Sequence, residues 1–353
     1  LMGEVDVLRS IQLMPGVQTG GEGSTGFFVR GGGLDQNLIS NLCFEKGYHA
    51  VFINARNIET IEKFDTSTPI IISSIEEAES SYRSFLLDIV EHLDRSGYTL
   101  IPKVEFLKAH ENKVFMELLR KQFKVNGVSD LKTLVFGNVQ DFKSSLNDGK
   151  IQFPTVLKGA SGAKSKNVYL AHNKNEALKI AVLISEKKSL NTRIKDLLRA
   201  KRHKNYTRES HTKHKFIVQE FIPELKNDWK ILIFHDKLFV LSRGIKSNDF
   251  RASGQGKDYK SGCNSDFPEK YLNHLYSFYK ALNTPYVSLD VAIKNEQLYI
   301  FEYQCILFGK STITMSDEYF QLKSGEWELT KNEVSQEALL VHSIISYFSS
   351  NGQ

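Results

Sequence analysis

Between Tyr286 and Gln304 the chain reads Y-V-S-L-D-V-A-I-K-N-E-Q-L-Y-I-F-E-Y-Q, two apolar, β-prone runs around a polar turn. That pattern predicts an antiparallel hairpin. Glu302 and Gln304 are two apart, so their side chains leave one face of the second strand. Pairing can bring Asp290 onto that face from the first strand. Two carboxylates and a carboxamide then converge, a set of hard oxygen donors that suits Mg²⁺. With no cation near, such a carboxylate pair would suffer like-charge repulsion.

The rest of the chain alternates strands and helices from about Leu42. H-A-V-F-I-N, P-I-I-I-S-S and T-L-I-P read as strands, with an amphipathic helix from Glu76 to Arg95 that Gly97 ends. This is the pattern of a small α/β unit with a parallel sheet. Val104 to Gln122 reads as one long helix, and Leu131 to Phe136 as a strand. Phe153 to Lys158 and Asn167 to Ala171 read as strands around a Gly/Ser/Lys loop, with helices at 175–186 and 191–201. Phe216–Ile222 is a strand, W-K-I-L-I-F-H-D-K-L-F-V-L-S-R a second hairpin, and 269–282 and 336–349 are helices.

The loop in F-P-T-V-L-K-G-A-S-G-A-K-S-K-N-V-Y-L is the second chemical signal. Small residues let backbone N–H groups approach phosphate oxygens, and Lys158 at the strand end supplies a point charge. Taken alone, such a loop is more often a plain hairpin turn. Downstream, F-I-V-Q-E-F-I-P is an apolar strand carrying Gln219 and Glu220, and N-D-W-K follows it.

Composition bounds the rest. The 353 residues suffice for two or three packed units, and the net charge of +5 is modest. Much of that charge is local: Lys187 to Lys215 holds eleven Lys or Arg against Asp196 and Glu209. Tyr206 is the one aromatic in that run, so it offers no stacking platform for nucleic acid, and a solvated insertion is the expectation. Its histidines, His203, His211 and His214, lack a carboxylate or cysteine at ligand spacing, and His110 reads as structural or surface. Cys43, Cys263 and Cys305 form no C-x-x-C pair, so neither a disulfide framework nor a zinc site is indicated. A reducing cytoplasmic setting is expected. No run of about 18 apolar residues exists to cross a membrane as a helix, and the start lacks a secretory signal layout.

In order, Lys113, Lys158 before the glycine loop, Gln219–Ile222, Asp228-Trp229-Lys230, Arg243 to Arg251, and Asp290 with Glu302 and Gln304 resemble the ATP-grasp superfamily over residues 45–345. The texture is similar to ribosomal-protein glutamate ligases and related carboxylate–amine ligases. The resemblance implies an α+β fold in which two subdomains clasp ATP behind a small Rossmann-like α/β domain. Lys113 and Lys158 would contact phosphates, and Gly159, Ser161 and Gly162 would belong to the loop that closes over them. Gln219, Glu220, Phe221 and Ile222 would line the adenine pocket, and Asp228 or Glu224 would reach the ribose. Lys230, Arg243 and Arg251 would stabilise the transferring phosphoryl group. Asp290, Glu302 and Gln304 would hold one or two Mg²⁺, or Mn²⁺.

Gln304 stands where the family has Asn, C-I-L-F-G replaces a small-residue and proline turn, and Lys230 replaces Arg with a point charge. The implied function is an ATP-dependent carboxylate–amine or thiol ligase acting through an acylphosphate on small-molecule or peptide substrates. The alternatives are a kinase of a polyanionic small molecule and an inactive ATP-binding module. No membrane and no nucleic acid is expected as a partner, and the resemblance allows a homodimer.

The first 39 residues read differently. P-G-V-Q, F-F-V-R-G-G-G and D-Q-N-L-I resemble the plug domain of TonB-dependent outer-membrane receptors. No series of about ten-residue alternating strands follows to build a barrel. The expected division is a foreign or fused segment over 1–41 without a strand partner, a truncated α/β domain over 42–102, and the ATP-clasping unit over 103–353. A glycine-loop subdomain is expected over about 150–222.

Overall fold

The computed structural model describes residues 9–12, 27–28, 34–54, 57–72, 80–161, 167–185, 190–203, 214–245, 250–251, 257–306 and 308–351. Three sheets organise them, and the mixed α/β class expected from the sequence is the one observed.

The first sheet joins the short strands Arg9–Gln12, Phe27–Phe28, Val51–Asn54, Ile70–Ile71 and Leu100–Ile101. Ile70–Ile71 and Leu100–Ile101 run parallel, as the α/β pattern requires. Arg9–Gln12 pairs antiparallel with Val51–Asn54 and meets Ile71. This corrects the expectation that the plug-like segment has no strand partner: a four-residue strand satisfies its backbone on a neighbouring edge without a hydrophobic repeat of its own. The remainder of P-G-V-Q and R-G-G-G lies outside the described residues. D-Q-N-L-I opens the helix Gln36–Glu45, capped by the Asp35 carboxylate, which accepts from the N–H groups of Asn37 at 2.9 Å and Leu38 at 3.1 Å. The boundary drawn at residue 41 therefore falls inside that helix.

The second sheet is four-stranded and antiparallel, in the order Thr133–Phe136, Phe216–Glu220, Thr155–Gly159, Val168–Ala171. Helices Val139–Asn147 and Lys174–Ser185 cover it. Its centre is aromatic, with Phe142 5.3 Å from Phe136 and 5.5 Å from Phe216 between ring centroids.

The third sheet has seven strands. Gln297–Gln304, Tyr286–Lys294, Asn227–Phe234, Lys237–Gly244, Glu318–Lys323 and Glu326–Lys331 lie in that order, with Lys257–Ser261 also beside Lys237–Gly244. Period-two alternation sorts its side chains. Ile231 and Ile233 face the helix Leu272–Leu282 through Leu275, Phe278 and Leu282. Leu232 and Phe234 face the opposite core, which they share with Leu339, Leu340 and Ile344 of the helix Gln336–Asn351. That same core continues into Ile39, Ile70, Leu86 and Ile101, so the N-terminal unit and the large sheet are packed as one body of apolar side chains.

The single long helix expected from Val104 to Gln122 is two helices, Val104–Ala109 and Lys113–Arg120. Glu111 takes a left-handed φ of 50°, and the Asn112 side chain caps the second helix by accepting from Phe115 N–H at 3.3 Å. A continuous apolar periodicity hid that break, because an interior Asn-capped restart keeps hydrophobic spacing on both sides. The hairpin Glu318–Lys323 and Glu326–Lys331, turned at Ser324 and Gly325, was also not anticipated.

Candidate functional site

Register aligns the polar residues of the large sheet. Asp290 lies opposite Glu302 on one side and Lys230 on the other, so the three form a row across adjacent strands. Two residues along, Asp228 pairs with Arg243. Gln304 and Ser288 form the next cross-strand pair beyond Glu302 and Asp290. Asp228, Lys230, Arg243, Asp290, Glu302 and Gln304 therefore share one face, which the two-residue period of each strand alone would not reveal.

On this face Lys230 Nζ donates to Asp290 Oδ1 at 2.9 Å, and the Arg243 guanidinium reaches the same oxygen at 3.2 Å. Arg243 also grips both oxygens of Asp228 at 2.7 Å, a two-pronged pair. Arg243 and Asp228 are 11% and 5% exposed, so both charges are out of water. Burial pushes the Asp228 carboxyl up to about 6 against the pull of Arg243. Burial also works to raise Asp290, but Lys230 and Arg243 outweigh it and hold that carboxyl well below the usual range. The Arg243 guanidinium is disfavoured by burial, yet Asp290 and Asp228 hold its proton more tightly than usual.

The four-stranded sheet and its helices form a second lobe beside the large sheet, and it meets this face at the Gln297–Gln304 strand. Lys158 Nζ donates to Gln219 Oε1 at 2.7 Å and lies 5.7 Å from the centre of the Phe301 ring. Burial lowers Lys158 to about 8, with Glu302 and Glu117 pulling the other way. Gln219 is 2% exposed, and its amide donates to Thr133 Oγ1 at 3.1 Å and Glu117 Oε1 at 3.5 Å. Lys113 Nζ reaches Glu302 Oε1 at 3.4 Å, and Lys113 N–H donates to the Ala160 carbonyl at 2.8 Å. The helix Lys113–Arg120 thus touches both the carboxylate row and the strand end that starts the glycine loop.

Three residues of this junction were not singled out from the sequence. Glu117 and Arg120 pair at 3.0 Å, Arg120 donates to the carbonyls of Ile300 at 2.5 Å and Phe301 at 3.3 Å, and its guanidinium lies 5.4 Å from the Tyr303 ring. The Tyr303 hydroxyl donates to the Met116 carbonyl at 3.0 Å. A signal existed: Lys113, Glu117 and Arg120 recur at i, i+4 and i+7, one face of a helix.

The remaining expected residues are placed as follows. Gly159 N–H donates to the Asn167 carbonyl at 2.9 Å, and a Cβ there would approach the Asn167 Cβ at 3.1 Å. Ser161 is exposed, and Gly162 lies outside the described residues. Glu220 Oε1 accepts from Lys132 N–H at 3.0 Å. Phe221 and Ile222 are half-buried, with Phe221 against Phe250 at 6.2 Å and Arg251 over Phe250 at 5.8 Å. Of the two ribose candidates, Asp228 is instead committed to Arg243 inside the sheet face, because two strands hold the pair in register. Glu224 is exposed and paired with Lys294 at 2.9 Å.

Among the described residues named above, the cations Lys113, Lys158, Lys230, Arg243 and Arg120 outnumber the carboxylates Glu117, Asp228, Asp290 and Glu302 by one. The oxygen donors Asp290, Glu302 and Gln304 have the chemistry of a hard divalent ion, and the cationic surplus suits a polyanion. Among the described residues no group of three or more His, Cys, Asp and Glu side chains could hold a metal, so such an ion would need the Gln304 amide or a bound phosphate to complete its shell. No described helix is long and apolar enough to cross a membrane.

No protein-family model matches the chain, and no curated protein matches it. Solved structures do. An ADP complex of N5-carboxyaminoimidazole ribonucleotide synthetase is similar over 74% of this chain and 58% of its own, at 12% identity and a TM-score of 0.47. D-alanine–D-alanine ligase from Helicobacter pylori is similar over 66% of this chain and 61% of its own, at 13% identity and 0.42. A RimK-domain ATP-grasp protein from Sphaerobacter thermophilus is similar over 76% and 78%, at 13% identity and 0.42. The chain thus spans under two thirds of the first two relatives.

Proposed function

We propose that the chain is an ATP-grasp enzyme that joins a carboxylate to an amine, or to a thiol, at the expense of ATP. The observation that carries this reading is the Asp290–Glu302 cross-strand pair, with Lys230, Arg243 and Lys113 within ion-pair reach of its oxygens. In this reading ATP lies between the two lobes, its phosphates toward Lys113 and Lys158 and its base toward the chain after Gln219. Asp290, Glu302 and Gln304 would hold Mg²⁺, which when bound neutralises charge on the phosphoryl oxygens.

The substrate carboxylate oxygen attacks the γ-phosphorus, and the bond to the ADP oxygen breaks, giving an acylphosphate. The amine nitrogen then attacks the acyl carbon, loses a proton, and phosphate leaves. Lys230 and Arg243 act by position and charge, steadying the phosphoryl oxygens, and no protein nucleophile is needed. Lys158, lowered to about 8 by burial, still carries its proton at neutral pH in most molecules and serves as a charged hydrogen-bond donor to phosphate oxygens.

One observation favours a second reading, an ATP-binding module without turnover: Asp290 is already held by both Lys230 and Arg243. Both readings are tested by ADP release from Mg-ATP, with pools of amino acids, peptides and sugar acids offered with amines. Acceptor-dependent ADP that disappears in Glu302→Ala supports the ligase. ATP binding without release under any pool supports the module, and absence of ATP binding sinks both.

A further inference from the structure

The helix Leu190–Arg202 leaves apolar side chains in water. Ile194, Leu197 and Leu198 are 55%, 52% and 62% exposed. They stand at i, i+3 and i+4 and so form one stripe along the helix. Lys195, Arg199 and Arg202, also exposed, recur at i, i+4 and i+7 and form a basic ridge beside it. Lys201 falls four residues after Leu197, where a long stem can follow the apolar stripe and lift its ammonium clear. The helix sits in the Lys187–Lys215 stretch, whose eleven basic residues face two acids.

A solvated insertion explains the charges but not three large apolar side chains aligned on one face. A second copy of the helix set against the stripe would bring basic ridges together, which opposes pairing. A single-stranded nucleic acid would meet the charges but find no aromatic on the helix for its bases. An anionic bilayer surface matches both halves, because lipid phosphates and carboxylates take the basic ridge while the acyl boundary takes the stripe. Thirteen residues rise about 20 Å, too short to cross a bilayer and long enough to lie in its interface.

We propose that the helix Leu190–Arg202 docks this protein on an anionic lipid surface, with Ile194, Leu197 and Leu198 inserted and Lys195, Arg199 and Arg202 on the headgroups. This is independent of the ligase reading. It goes beyond the expectation of no membrane partner and needs no membrane-spanning helix, of which there is none among the described residues.

The full chain is mixed with phosphatidylcholine vesicles, with and without phosphatidylserine, and the bound fraction is measured by flotation. Leu197→Gln/Leu198→Gln and Arg199→Glu/Arg202→Glu are compared with the parent, their folding checked by unchanged thermal midpoints. The parent is expected to float only with phosphatidylserine vesicles, and each double variant to bind about tenfold more weakly or worse. A parent that ignores these vesicles overturns the proposal, as does full binding by the Gln variant, which would mean adsorption by charge alone. A parent that binds a single-stranded RNA oligonucleotide but no vesicle overturns it in favour of nucleic acid.

Discussion

Replacing Arg243 by Met tests the charge arrangement of the sheet face most sharply. The side chain keeps its apolar reach, but Asp228 loses both bonds at 2.7 Å and Asp290 loses one of its two cations. Asp228 is 5% exposed and cannot be resolvated without opening the strand pair. Removing one partner of a buried ion pair costs about 3–5 kcal/mol, because the other charge stays behind. Acid relieves part of this loss. Asp228 is raised in the folded chain, so between the ordinary carboxylate value and about 6 the native state binds the extra proton and stability falls as pH rises. Without Arg243 that window extends upward, so the variant's deficit is smaller at about pH 5.5 than at about pH 7.5. Asp228→Asn combined with Arg243→Met removes the stranded charge and recovers more than about 1 kcal/mol of the single variant's loss. Urea unfolding followed by the fluorescence of Trp229, on the same strand, measures all three. A loss under about 1 kcal/mol for the single variant, additive effects in the pair, or a deficit that grows in acid would refute the reasoning.

Two further outcomes follow from other parts of the fold. Asp236 is opposed by burial but bonded to His342 at 2.6 Å, Gln321 at 3.0 Å and Lys237 at 3.1 Å, which hold its carboxyl well below the usual range. Its stabilisation is present above the ordinary carboxylate value and lost as pH falls through and below it. Asp236→Asn should therefore flatten the acid limb of stability, the parent losing about 1 kcal/mol more than the variant by about pH 3 in urea titrations. Gly127 has a φ of +83°, and a Cβ there would lie 1.8 Å from the His274 ring carbon Cδ2. Gly127→Ala should lower stability by about 1–3 kcal/mol by thermal unfolding, from the left-handed backbone and the ring contact together, and an unchanged midpoint would refute both costs.

Much of the molecule was legible locally. The two hairpins, the glycine-loop strands and the closing helix follow from apolar periodicity and turn residues, because a strand or helix face is set by neighbours two to four positions away. The break at His110–Asn112 was not legible, since apolar spacing continues on both sides of it and only the Asn112 cap marks the restart. Nor was the strand partner of Arg9–Gln12, whose pairing depends on an edge some forty residues on.

The candidate site divides the same way. Glu302 and Gln304 leaving one face of a hairpin strand was legible in the sequence. Asp290 facing Glu302 was not: regular pairing from Lys294 and Gln297 would set Phe301 opposite Asp290, and a one-residue register shift between Asp290 and Val291 brings Glu302 there instead. Lys113 meeting Glu302 across 189 positions was decided by the tertiary structure, as were Lys158 on Gln219 and Arg120 on the backbone of Ile300 and Phe301. So was the commitment of Asp228 to Arg243. The physical reason is that a side chain's partner in a low-dielectric interior is chosen by which faces are packed together. Packing of faces depends on the burial of distant apolar residues such as Ile231, Leu275 and Ile300, not on the polar residues that end up between them.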